Sequence, residues 1–401
     1  MGATNEIRSP GRAVISQAAY VFTVISVVGL TFSIAVSSIA MGIAIVLWVY
    51  LLIASKQQLF PGTSLDFFFL LYVVSELLAC AFAVTPVDSF VNMKRLLLIS
   101  IVYLVLQFVN SEAKLKVFLG LLIGVTALLS TVEILSATSV GGHFLRASLY
   151  QHYMTEGGIK MFVLLLCVPF LVHASTPARW RIALFLSSAV LLVGLILTQT
   201  RSSWLGFIAG VVTIGFLKNK KVILLLVGLV VLFVLLAPAD FRTRAASIVD
   251  PSQVSNLSRI HMITTGWKMF LDHPLFGTGD IDLRKLYVTY ITPIDSAEGG
   301  HLHNNFMMLL ATLGIVGFVS TMMMFVKIFL VELRAVRSTR GHVLFESLTI
   351  GSLAAYVGFH VNGLFEWNFG DHEIAVLLWF TVGVALVAQR LGERIRNGGL
   401  K

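Results

Sequence analysis

The chain has 401 residues, 57 % of them apolar and only 12 % charged. A soluble domain carries about 25 % charged residues, so one water-soluble core is excluded and lipid must solvate much of the surface. The formal charge of +9 does not point to nucleic acid as a partner, because the basic residues cluster briefly between apolar runs, the pattern that orients a membrane protein. Cys80 and Cys167 each lie inside an apolar run and imply neither a disulfide nor a metal framework.

Arg8 and Arg12 precede the first apolar run without a convincing small-residue cleavage site, which reads as an uncleaved first span. At about 1.5 Å of rise per residue, a hydrocarbon core of about 30 Å needs about 20 apolar residues. About twelve segments qualify, near 14–31, 34–54, 66–84, 95–110, 116–136, 159–174, 181–199, 202–217, 221–238, 303–330, 343–365 and 373–391. The expected fold is therefore an all-α polytopic membrane protein. Spans one to nine occupy 1–238, a long polar loop 239–302, and spans ten to twelve with a basic tail 303–401.

Arg201 interrupts the seventh and eighth spans, and its cost in lipid argues for a return to polar surroundings there. Glu76 and Glu133 lie within spans, and Glu346, His360 and Glu366 in or beside the eleventh. With an even count, one side collects Arg8, Arg12, Lys56, Lys114, Lys116, Arg179, Arg181, Lys218, Lys220, Lys221, Arg334, Arg337, Arg340 and the tail from Arg390 to Lys401. By the positive-inside rule both termini are expected in the cytoplasm. The loop 239–302, the segment 137–158 and the Arg201 turn are then outside it. Within the loop, Ser255-Asn256-Leu257-Ser258 is placed to cap a helix running to Asp272. Its Ile260, Ile263, Trp267, Phe270 and Leu271 share one face. A second short helix is expected from Asp280 to Tyr290.

The outer side gathers Arg146, Arg201, Arg242, Arg244, Arg259, Lys268, His301 and His303. Arginine presents a planar fork of donors suited to phosphate oxygens, so an anionic substrate such as a lipid-linked phosphate fits. Snorkelling to headgroups, or pairing with Asp240, Asp250 or Asp272, is the alternative. Histidine as a residue type titrates near neutral pH, so His303 is a candidate to take a proton from an attacking hydroxyl, or it caps the tenth span. His301 and His303 with Asp280 or Asp282 form a loose metal-ligand set, and Asp280-Ile281-Asp282 alone a second one. Asp280 is equally placed to cap a helix.

Three blocks carry a family likeness. The first is Thr198-Gln199-Thr200-Arg201-Ser202-Ser203-Trp204-Leu205-Gly206. The second is Ser258-Arg259, then Trp267, then His273-Pro274-Leu275-Phe276-Gly277-Thr278-Gly279. The third is His303-Asn304 followed, after nine residues, by Gly314 and Gly317. In this order they resemble the O-antigen ligase family, within the group that also holds O-antigen polymerases and bacterial O-linked oligosaccharyltransferases. The motifs cover roughly 195–320.

The resemblance implies a GT-C-like membrane glycosyltransferase of the bacterial inner membrane, working at its periplasmic face without cofactor or metal. It would move a polysaccharide, with inversion, from undecaprenyl diphosphate to a sugar hydroxyl of lipid A–core. Arg201 and Arg259 would hold the diphosphate and His303 would serve as base, with Arg146, Asn304 and His301 as further substrate-binding candidates. An O-antigen polymerase is the alternative within this chemistry, and a polysaccharide or lipid transporter the alternative outside it.

Overall fold

A computed structural model describes residues 10–55, 61–137, 139–140, 143–144, 146–291 and 300–398. Arg8, Lys56, Lys401 and positions 292–299 of the long loop lie outside the described residues. In chain order the helices are α1 (Pro10–Gly29), α2 (Ile34–Ser55), α3 (Asp66–Ala81), α4 (Pro86–Asn92), α5 (Ser100–Phe108), α6 (Glu112–Ser136), α7 (Tyr153–Val172) and α8 (Ala178–Leu197). They continue with α9 (Arg201–Leu217), α10 (Lys221–Leu236), α11 (Ala239–Ala246), α12 (Val254–Asp272), α13 (Arg284–Tyr287), α14 (Asn305–Ser338), α15 (Val343–Asn362) and α16 (His372–Arg396). A 3-10 segment, Met93–Ile99, joins α4 to α5, and Ser139–Val140 pairs antiparallel with His143–Phe144.

The chain is a helical polytopic membrane protein, and nine of the twelve expected spans meet the full length. Among the described residues nine helical runs are long and apolar enough to cross a membrane, Pro86–Phe108 being one. The remaining three expected spans are helices α3, α9 and α10, of 16, 17 and 16 residues. These reach only about 24–26 Å at 1.5 Å per residue.

Helices α7, α15 and α16 form the centre, with 78 %, 83 % and 83 % of their apolar windows buried, against 22 % for α8 and 33 % for α1 and α2. The outer helices turn aliphatic side chains such as Leu224, Leu225, Leu235 and Leu236 away from the protein, as a lipid-facing surface requires.

Two close approaches position the functional end. Along α9, Gly206 and Gly210 are four residues apart and face Ala354 and Gly358 of α15. A Cβ at Gly206 would lie 2.6 Å from the Gly358 carbonyl oxygen, and one at Gly210 3.0 Å from that of Ala354. Small residues at this spacing let membrane helices pack backbone to backbone. The crossing sets the start of α9, with Arg201, beside the end of α15. The Asn362 side chain donates to Ser203 Oγ at 3.2 Å there.

The second approach is a break in α14 at Gly314 (φ 62°, ψ −168°). The block His273–Gly279 docks into it. Ile315 N donates to Pro274 O (2.8 Å) and Val316 N to Leu275 O (3.2 Å). In return, Thr278 N and Gly279 N donate to Ala311 O and Thr312 O, each at 2.9 Å. The loop thus satisfies the backbone groups that the break frees in the helix, as membrane depth demands. A Cβ at Gly314 would clash with the Leu275 carbonyl, and one at Gly277 with Thr312.

The long loop folds as helices, and it departs from expectation in its caps, its packed face and the length of its second helix. Helix α12 is capped by Gln253, whose side chain accepts from Ser255 N. The face packed against protein is not the apolar stripe. Ile260, Trp267 and Leu271 are 51 %, 48 % and 58 % exposed, while Met262, Thr265, Gly266 and Met269 are buried. The reason is steric: Gly266 lets α12 lie against Leu302 and Met307, which a bulky stripe would prevent. The second short helix is reduced to α13, of four residues. Asp280 does not cap it; the Asp280 side chain faces Arg95 at 3.3 Å.

Gly314 occupies a backbone region open essentially to glycine alone, where any other residue costs about 1–3 kcal/mol. Gly314→Ala is expected to lower the unfolding midpoint of the purified protein in detergent. Gly228→Ala on α10, where nothing lies within 4 Å of the added carbon, is expected to leave it unchanged or raise it. Equal midpoints for the two variants would contradict this account of the break.

Candidate functional site

The starts of α7, α9, α14 and α16 and the end of α15 meet at one end of the bundle, under α11 and α12. Two non-glycine residues with positive φ, Gln199 (52°) and His303 (45°), both sit here. Such conformations cost energy and persist where surrounding structure enforces them.

Arg201 opens α9 and is 6 % exposed. Nη1 donates to Ser247 O (2.6 Å) and Ser247 Oγ (2.9 Å), and Nη2 to Ser255 Oγ (2.6 Å) and Asn256 Oδ1 (2.9 Å). It therefore fastens the turn between α11 and α12 onto the end of the bundle. Arg244 of α11 donates from Nε to Gln199 O at 3.1 Å. Arg259 of α12 does the same to Phe365 O at 3.0 Å. Arg146 is exposed and stacks on the Tyr153 ring, 4.2 Å from its centroid. The neighbouring Ala147 N is tied to Leu197 O.

Among the described residues no carboxylate forms an ion pair with Arg146, Arg201, Arg244 or Arg259. The four charges sense one another. Arg244 is pushed down to about 10, first by burial and then by the positive charges of Arg146, Arg201 and Arg259. Burial also lowers Arg259, against the attraction of Glu366. A partly buried cluster of cations, with no ion-paired carboxylate among the described residues, has the electrostatic character that suits an anion.

His303 lies between α12 and the bundle. Its Nδ1 is 2.9 Å from Glu366 Oε1. The two asparagines after it explain the placement. Asn304 caps α14 by accepting from Met307 N and donates to Leu364 O at 2.9 Å. Asn305 N donates to Gly363 O at 2.7 Å, and its side chain joins Asn368 and Phe369 N. The start of α14 is thereby stitched to the segment that carries Glu366. Burial raises the Glu366 carboxyl, but the His303 hydrogen bond and the charges of His303, His301 and Arg259 outweigh it, and the net shift is downward. An ionised Glu366 accepts only, so Nδ1 carries the hydrogen, and in the neutral imidazole the lone pair is then on Nε2.

His301 packs edge-on to His303 with ring centroids 4.2 Å apart. The ligand atoms of His301, His303 and Glu366 all lie within 4.8 Å of one another, a geometry that could hold a metal ion. A metal on Nδ1 would have to displace the bond to Glu366. The sets anticipated from sequence are not assembled: Asp280 faces Arg95, and Asp282 is held by Arg284 at 2.7 Å. Glu76 also pairs with Arg95, at 2.8 Å, and the Arg95 guanidinium lies 5.5 Å from the centroid of Trp367, the neighbour of Glu366.

Of the residues picked from sequence, Arg146, Arg201, Arg259, His301, His303 and Asn304 all converge on this end. Glu366 and Arg244 were not singled out as site residues. The available signal for Glu366 was a carboxylate in a short loop beside a span, where charge is costly.

Residues 185–322 match the family model for the O-antigen ligase domain, so the resemblance carried by the three sequence blocks holds over that segment. The matched segment includes Arg201, Arg244, Arg259, His301, His303 and Asn304, and it supports a glycosyltransferase-type enzyme of the O-antigen ligase and polymerase group. No curated protein matches the chain significantly. A chain from a solved structure described as "Structural coordination of polymerization and crosslinking by a peptidoglycan synthase complex" aligns with 82 % of this chain and 97 % of its own, at 17 % identity and TM-score 0.47. A likeness that low carries no argument.

Asp371, just before α16, accepts from Thr155 at 3.3 Å and is raised to about 8, by burial and then by Glu366 and Glu373. A carboxyl with a raised folded-state value stabilises fully below its unfolded value and loses that contribution as pH rises through the folded one. Relative to Asp371→Asn, the wild type is expected to lose thermal stability progressively from pH 5 to 8 and to level off above. Parallel pH profiles for the two proteins in detergent would contradict the assignment.

Proposed function

We propose that the chain is an O-antigen ligase that transfers a glycan from undecaprenyl diphosphate to a sugar hydroxyl of lipid A–core at the periplasmic face of the inner membrane. The observation that carries this reading is the His303–Glu366 pair set among arginines that form no ion pair with a carboxylate among the described residues.

The donor already carries a good leaving group, so the enzyme's work is to position two lipids, accept one proton and stabilise one developing charge. His303 Nε2 takes the proton from the acceptor hydroxyl, whose oxygen forms the new bond to the anomeric carbon. The bond from that carbon to the phosphate oxygen breaks, and undecaprenyl diphosphate leaves with the electron pair. Glu366 holds the imidazole in the required tautomer and stabilises the imidazolium that forms. Arg259 supplies fixed donors to the diphosphate as its charge grows. Arg201 contributes positive charge to the same region and keeps α11 and α12 closed over it. Attack from the face opposite the phosphate inverts the anomeric centre. The step needs no metal; a requirement for one at His301, His303 and Glu366 would appear as activity lost on chelation and restored by a divalent ion.

His303→Ala is expected to reduce transfer about 10²–10⁴-fold in a purified assay, with protein insertion unchanged. Glu366→Gln is expected to fall in the same direction through kcat. Full activity of His303→Ala would contradict the base assignment. In cells, deletion of the gene is expected to leave lipopolysaccharide core without O-antigen while lipid-linked polymer accumulates. Core bearing a single repeat unit would instead identify a polymerase. Loss of substrate movement without loss of a glycosidic bond would identify a transporter.

A further inference from the structure

We infer that Arg244, which none of the three motif blocks marks, is a further arginine for the donor's diphosphate, acting with Arg259. This inference rests on the lipid-diphosphate reading above and adds to it a residue from α11.

Three observations converge. The first is a shared mode of anchoring. Arg244 donates from Nε to the Gln199 carbonyl and Arg259 from Nε to the Phe365 carbonyl. In both residues a neutral backbone oxygen fixes the plane of the guanidinium, and the terminal Nη fork takes no acceptor from the described residues. A fork held by its stem and open at its tip suits bidentate contact with phosphate oxygens. Arg201 is the opposite case, with both Nη groups engaged by Ser247, Ser255 and Asn256. It shapes the site, and Arg244 is free to contact the ligand.

The second observation is how firmly Arg244 is placed. Ser247 Oγ accepts from Arg201 and donates to the Arg244 carbonyl at 2.7 Å. The end of α11 is thus locked to the turn between α8 and α9 at two points, one through Gln199 and one through Arg201. Gln199 holds a left-handed φ of 52°, an unusual conformation for a residue with a side chain. That conformation belongs to the turn whose carbonyl receives Arg244.

The third is charge. Arg244 is half-buried and feels Arg146, Arg201 and Arg259, with no carboxylate among its influences. Arg242, two residues earlier on the same helix, is exposed and outside this group. Two phosphate groups can engage more forks than one, so the cluster is expected to prefer a diphosphate to a monophosphate.

The test uses the full chain in lipid nanodiscs, with undecaprenyl diphosphate and undecaprenyl monophosphate as probes. Arg244→Ala is expected to weaken diphosphate binding roughly 10- to 100-fold, the range for hydrogen bonds to charged groups, and monophosphate binding by less. Arg242→Ala is expected to stay within about twofold of wild type, as surface charges do. Arg244→Lys keeps a charge but cannot span the Gln199 carbonyl and a phosphate together, and is expected to fall between. The ligand-induced rise in unfolding midpoint is recorded for each, so that a generally destabilised variant is still read against its own ligand-free state. If Arg244→Ala loses the cooperative transition, Arg244→Lys decides. Wild-type binding by Arg244→Ala, alongside weakened binding by Arg259→Ala, overturns the role of Arg244 and leaves the lipid-diphosphate reading standing. Wild-type binding by both variants overturns that reading itself. An equal loss in Arg242→Ala and Arg244→Ala means diffuse attraction and overturns a defined contact.

Discussion

Four guanidinium groups share one end of this bundle without a paired carboxylate among the described residues, and the fold must hold them against their mutual repulsion. It does so with neutral acceptors. Backbone carbonyls of Gln199, Ser247 and Phe365, the hydroxyls of Ser247 and Ser255, and the amide of Asn256 fix Arg201, Arg244 and Arg259 in place. Neutral acceptors orient a cation without cancelling its charge. The free energy of assembling these cations is offset by packing elsewhere, and the net positive field remains available to an anion in a setting where water screens poorly.

Two backbone contacts provide that packing. Small residues on α9 and α15 bring Arg201 and the segment carrying Glu366 side by side. The break in α14 at Gly314 receives the His273–Gly279 block, so the loop that follows α12 is fixed to the same helix whose start presents His303. The two halves of the site, cationic and basic, are therefore carried by elements that cannot shift independently.

Hydropathy made the spans legible, because an apolar run of sufficient length has few other uses. It left the count open where α3, α9 and α10 are apolar but only 16 or 17 residues long. Arg201, Arg259 and His303 were legible through motif order, and the structure brings all three to one place. Glu366 was visible only as a carboxylate near a span, since no spacing in the chain connects it to His303, 63 residues away. Arg244 lay among several outer arginines, and its bond to Gln199 and its partial burial distinguish it from Arg242. Periodicity found the apolar stripe of α12 but could not tell which face meets protein; Gly266 decided that by permitting close approach. Asp280 and Asp282 had metal-binding spacing, yet Arg95 and Arg284 lay within reach of them. Competition for a partner is a tertiary matter that local spacing does not report.

The central claim is that a lipid diphosphate sits among these arginines with its anomeric carbon facing His303. A structure of the protein bound to an unreactive undecaprenyl-diphosphate-linked sugar tests it most directly. The account predicts phosphate oxygens on the free Nη groups of Arg259, and the anomeric carbon facing His303 with room for an acceptor oxygen between them, about 3–3.5 Å from that carbon. Diphosphate held at the opposite end of the bundle, near Arg181 and Lys218, would contradict it.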